Sequence, residues 1–166
     1  MKRIITILIA ALAMLSSESV QSQVIVTLNG IPTFDTSTLT VTEAGLDFPS
    51  NISEIQANTT ISIRNNGANN PNNYNYRLSV SLLEMIGDIG LTIERTGTGT
   101  SGSGGSAGGK ISGGSPAVLL STIPVEFFEG TGDRLNVPVR FGIRNLSVIQ
   151  PAGNLSFRLV FTATAF

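Results

Sequence analysis

Two short runs in this chain have the form of nucleotide-binding motifs. Gly97 to Gly102 reads GTGTSG, the dinucleotide pattern GxGxxG, and Gly104 to Lys110 reads GGSAGGK, the first seven positions of a phosphate-binding P-loop. Both motifs rest on the same physics. Glycines let backbone amides approach a phosphate, and a helix starting at once presents its positive end to the charge. Here more glycine and serine follow, which are poor helix formers, and Ile111 stands where a P-loop needs a hydroxyl for magnesium. The stretch at about 96–115 therefore reads as a flexible connection between two strands, tolerated because loop-closure entropy rises slowly with length. No nucleotide and no other cofactor is expected.

Other routes to catalysis are narrowed by what the chain lacks. It has no His and no Cys, which removes the common zinc sites, His-based triads and disulfides. Carboxylates lie close in sequence at Glu126, Glu129 and Asp133, at Glu43 with Asp47, and at Glu84 with Asp88. A glycosidase needs two of them about 5–10 Å apart in a cleft, one with a raised pKa, and sequence proximity does not supply that. Glu129 and Asp133 flank the turn EGTGD, which lacks the dense oxygen ligands of a calcium loop. The expectation is a protein without catalytic residues and without a metal site. The Asn-rich run NNGANNPNNYN (65–75) reads as a hairpin loop, since Asn tolerates left-handed backbone angles. Glycan contact through Tyr74 or Tyr76 is the alternative reading of that run.

The N-terminus places these residues in a compartment. Lys2 and Arg3 precede an apolar run, Ile4 to Leu15, and a polar exit, SSESVQSQ, the order of a secretory signal peptide. Residues 1–22 are read as that signal and Gln23 as the mature start, so the protein is expected in the periplasm, outside the cell or at its surface. The run is short for a bilayer that takes ~20 apolar residues, so no membrane span is expected in the mature chain. Charged residues make up only 13% and the formal net charge is −1, which gives no basic face for nucleic acid.

Residues 23–166 read as one domain, and strand-period alternation dominates them. Val24, Val26 and Leu28 alternate with polar or opposite-facing neighbours, as do Leu39 and Val41, and Ile61 and Ile63. Tyr74, Tyr76, Leu78, Val80 and Leu82 form a longer set, Ile123, Val125 and Phe127 a shorter one. Leu135, Val137, Val139, Phe141 and Ile143 follow, and the last set is Leu155, Phe157, Leu159, Phe161, Ala163 and Ala165. One apolar and one wet face per strand, with turn residues between, predicts antiparallel sheets packed as a sandwich. Pro138 has no amide hydrogen, so its strand is expected at a sheet edge or bulged at that point.

At the C-terminus, PAGNLSFRLVFTATAF (151–166) is an Ala-Gly turn followed by a long alternating strand. It resembles the last segment of pilin-like subunits, both spore coat protein U-like domains and chaperone–usher pilins. RLNVPVRFGIRN (134–145) and LTVTEAGLDFPS (39–50) are similar in character to elements of the same group, although the cysteine pair frequent there is absent. The signal peptide and Gln23 start are similar to those of exported Bacteroidetes proteins. The resemblance implies an immunoglobulin-like antiparallel β-sandwich, a non-catalytic subunit of a bacterial surface fibre, coat or adhesin. It further implies assembly by lending a strand, with self-association or other exported surface proteins as partners. Val24, Val26 and Leu28 in the first strand, with Leu155, Phe157, Leu159 and Phe161 in the last, are the expected assembly residues. The alternative function is a carbohydrate-binding or accessory module of a cell-surface complex.

Overall fold

The structure is a computed structural model that describes residues 23–32, 34, 51–54, 58–66, 74–102, 110–146 and 156–166. The expected signal peptide, the Leu39–Val41 strand and Leu155 lie outside the described residues. Within them the chain is all-β and forms two antiparallel sheets packed face to face. No helix among them is long and apolar enough to cross a membrane.

The long strand β10 (Arg134–Arg144) is the axis of the first sheet. On one side its first half pairs with β3 (Thr59–Asn66), and β3 pairs in turn with β1 (Gln23–Asn29); its last residues pair on that same side with β2 (Asn51–Ser53). On the other side lie β6 (Thr100–Ser101), then β5 (Gly90–Arg95), and beyond β5 the short β8 (Val118–Leu119). The second sheet runs in the order β11 (Leu159–Ala165), β4 (Asn75–Leu82), β9 (Val125–Thr131), β7 (Ile111–Gly113). The core fills the gap between the sheets: Ile61, Ile63, Ile93, Val137, Val139 and Phe141 face Tyr76, Leu78, Val80, Leu82, Phe127 and Phe128, all buried. Each such side chain contributes about 1.5–3 kcal/mol when fully withdrawn from water.

Alternation gives the correct facing wherever a ladder is regular. In β4, Tyr76, Leu78, Val80 and Leu82 point inward. It fails at bulges. The β10–β3 register shifts between Arg134 and Val137, with Asn136 at φ 53°, and the extra residue turns Arg134 into the sandwich while Leu135 is only half-buried. In β9 a shift opposite Leu78 and Ser79 buries both Phe127 and Phe128, and Ile123, expected on the same apolar face, lies outside the strand and is 74% exposed.

Pro138 does not mark an edge, because β10 is paired on both sides, but the irregularity in β10 does fall just before it, between Arg134 and Val137. The Pro138 carbonyl accepts from Thr96 N–H, so its nitrogen faces the break between β5 and β6, where no ladder bond is lost. Phe157 also departs from expectation: it precedes β11 and is half-buried against the core.

The Gly/Ser-rich run is more structured than a plain connection. Its described residues include β6 in one sheet and β7 in the other, and Arg95 N–H donates to Gly114 O.

Candidate functional site

The glycines of GTGTSG pack against protein backbone and side chains. Gly99 has φ +64° and lies so close to the carbonyl of Leu135 that a Cβ would collide with it. Gly97 lies against the Pro138 ring and Gly102 against the Asp133 side chain. These glycines let the β5–β6 segment lie flat on β10, and the segment continues as strand.

The carboxylates around the EGTGD turn separate into two settings. On the outer face of the second sheet, Arg77 Nε lies 3.0 Å from Glu126 Oε2, and Arg77 Nε donates to Glu129 Oε1 at 2.9 Å. The Arg77 guanidinium also stands over the Phe166 ring, 5.5 Å from its centre. Asp133, at the end of the sandwich, accepts from the Tyr74 hydroxyl at 2.9 Å and from the Asn65 amide at 3.0 Å. No group of three acidic side chains placed to hold a metal ion occurs among the described residues.

The tyrosines of the proposed glycan platform are turned inward. Tyr76 is fully buried and Tyr74 half-buried, with ring centres 5.8 Å apart. Burial pushes the Tyr76 phenol up to about 12, with Arg134 acting against that shift and Asp133 adding to it. Burial, then the bond to Asp133, raises the Tyr74 phenol further.

The expected assembly residues fall on one flank. β1 is the edge of the first sheet and β11 the edge of the second, and the two approach each other there. From β1, Val26 and Leu28 stand opposite the fully buried Ile63 and Ile61, and Val24 stands opposite Asn65. From β11, Leu159, Phe161 and Ala163 stand opposite the buried Leu82, Val80 and Leu78. Five of these six side chains pack against the core but are only half-buried, and the sixth, Leu28, is 41% exposed. Phe157 packs at the Leu159 end, and Leu155 lies outside the described residues. Among the described residues no strand pairs with the side of β11 away from β4. Among the described residues, β1 and β11 thus leave a seam between the two sheets that their apolar side chains only partly cover.

Alternation in the sequence marks both strands of this seam, Ala163 included, although Ala163 is not among the expected assembly residues. Arg134 was overlooked. The only local cue to its inward turn is Asn136, a residue type that accepts positive φ.

Compared with known proteins, the chain matches no family model, no curated protein and no solved structure.

Proposed function

We propose that this protein is a secreted, non-catalytic structural subunit of a bacterial surface fibre, coat or adhesin, assembling by exchange of its first strand. The observation that carries the reading is β1 itself: an edge strand held on one side only, by β3, with apolar side chains that the domain covers incompletely. An edge strand offers unpaired amides and carbonyls to another chain, and β-strand addition supplies affinity through main-chain bonds and pockets for alternate side chains.

Topology supports an immunoglobulin-like plan. The order β1-β3-β10-β5 follows the A-B-E-D sheet of that sandwich, and the pair β11-β4 takes the places of F and C. The place of a G strand, beside β11 and next to β1, is the seam. The insertion of β6 to β9 between β5 and β10 departs from the plan.

β1 pairs in cis along its whole length, and behind it Gly30 turns the chain at φ +94° against the carbonyl of Asn58. Opening that hinge transfers β1 to the same position on a neighbour, a strand swap that adds no new kind of contact. The inward-turned tyrosines count against a carbohydrate-binding module.

The test compares protein beginning at Gln23 with protein beginning at Thr33, by light scattering and thermal melts. The longer form is expected to make linear oligomers. The shorter is expected to be monomeric or unfolded and to be rescued by the peptide QVIVTLNG. A longer form that stays monomeric at high concentration, with a shorter form equally stable, overturns the reading.

A further inference from the structure

Beneath the end of the sandwich where β1 begins lies a polar layer that the assembly reading does not use. The bulge turns Arg134 of β10 inward, leaving it 8% exposed. Tyr76 of β4 points into the same region from the other sheet, close enough for its phenol to feel the Arg134 charge. Asn65 of β3 follows Ile63, the residue opposite Arg134, on the inward face. Three atoms of this layer, Arg134 Nε, Tyr76 Oη and Asn65 Oδ1, are buried and have no hydrogen-bond partner among the described residues. Gly130 adds to the arrangement, since a Cβ there would overlap the Tyr76 hydroxyl.

A native fold leaves few such atoms unpaired, because each costs about 1–3 kcal/mol when desolvated without a bond. Their chemistry restricts what can complete them. The guanidinium N–H only donates, the amide oxygen only accepts, and the phenol does either. An anion would satisfy Arg134 but not Asn65 Oδ1, and it would stand near the Asp133 carboxylate that already holds Tyr74 and the Asn65 amide. A cation reverses the mismatch at Arg134. A neutral molecule that both accepts and donates meets all three, and the full burial of Tyr76 excludes anything as large as a sugar.

We propose that Arg134, Tyr76 and Asn65 form an internal site for a single structural water, accepting from Arg134 Nε–H, donating to Asn65 Oδ1 and bonded to Tyr76 Oη. Buried waters of this kind make about three bonds to groups that otherwise have none. The site ties the two sheets together under the first residues of β1, where Val24 lies opposite Asn65. It fixes a buried arginine that has no carboxylate partner among the described residues.

A high-resolution crystal structure of the protein, with side-chain NMR of the same protein, tests this. One ordered water within hydrogen-bond distance of all three atoms is expected. The Arg134 Hε is expected to show a cross-relaxation contact to that water and to exchange with bulk solvent about 100-fold more slowly than that of the exposed Arg140. Tyr76→Phe removes one bond and should cut that protection about tenfold. Asn65→Leu, at a less buried position, is the second variant and should do the same. Direct bonding of Arg134 Nε to a protein oxygen, an ion in the density at this place, or Hε exchange as fast as at Arg140 would each overturn the proposal.

Discussion

The Phe141 amide donates to the carboxylate of Glu54 at 3.1 Å, while the Glu54 amide donates to the Phe141 carbonyl at 2.9 Å. Glu54 thereby fills the gap on β10 between β2 and β3, doing with one side chain what a strand does elsewhere. It is 3% exposed and also lies within reach of the Thr59 hydroxyl, which donates to it at 3.4 Å. Glu54→Ala leaves the Phe141 amide buried and unpaired, at a cost of about 1–3 kcal/mol. Glu54→Gln keeps an acceptor and is expected to cost less. Urea denaturation of the two variants orders them, and equal losses would mean that the carboxylate does not bridge the gap.

The core assignment makes a graded forecast. Phe141 and Phe128 are buried to within 2%, so truncation of either to Ala is expected to cost about 3–5 kcal/mol. Phe157 is half-buried ahead of β11 and should cost distinctly less. Arg140 and Arg158 are exposed, and Ala at either is expected to change stability by no more than roughly 0.5 kcal/mol. Denaturant midpoints at constant m-value give the comparison.

Burial raises the pKa of both tyrosines of the chain, and a loss of stability at alkaline pH is expected from it. Each phenol has its folded pKa raised above the ordinary 10.0. The unfolded chain therefore loses these protons first, and stability present below pH 10 falls as pH rises toward about 12 for Tyr76 and beyond for Tyr74. Phenolate absorbance is expected to stay absent until the fold gives way, then to rise with the loss of β-sheet signal. Tyr74→Phe should make the alkaline decline shallower. Phenolate forming near pH 10 in protein that is still folded would contradict the burial of both rings.

Gly99 separates a structural glycine from a phosphate-binding one. Its positive φ and its contact with the Leu135 carbonyl make Gly99→Ala destabilising by about 1–3 kcal/mol. The exposed neighbour Thr98 is expected to tolerate Ala within about 0.5 kcal/mol. Calorimetric titration with ATP or NAD should give no binding heat in either variant or in the parent protein. A micromolar signal lost with Gly99 would restore the nucleotide reading.

How far the sequence carries can be seen residue by residue. The inward set Tyr76, Leu78, Val80 and Leu82 is legible because a regular ladder preserves the period of two. Arg134 and Phe128 are not, because a bulge inserts one residue and inverts the facing, and the cause lies in the register with β3 or β4 rather than in β10 or β9 alone. The Glu54–Phe141 pair spans 87 positions and has no local signature. Pro138 signals the irregularity just before it in β10 but not the pairing on both sides, where its missing donor is harmless because the β5–β6 break falls beside it. The seam is half legible. Alternation marks its two strands, but only the pairing order reveals that both are edges on one flank.

The two faces of β1 give the sharpest test of strand exchange. Val26 faces the core opposite Ile63, whereas Thr27 is exposed opposite Ser62. An Asp at Val26 would bring a carboxylate against a fully buried isoleucine, and an unpaired charge there is expelled, not accommodated. Val26→Asp should therefore release β1 from its own domain and from any neighbour alike. Oligomers seen by light scattering should disappear, and the melt should fall toward that of protein beginning at Thr33. Added QVIVTLNG should restore the melt, because the seat on β3 is intact, while the same peptide with Asp in place of its second valine should not. Thr27→Asp, on the wet face, should leave both oligomers and melt nearly unchanged. Oligomers that survive Val26→Asp would show that the subunits meet through some other surface.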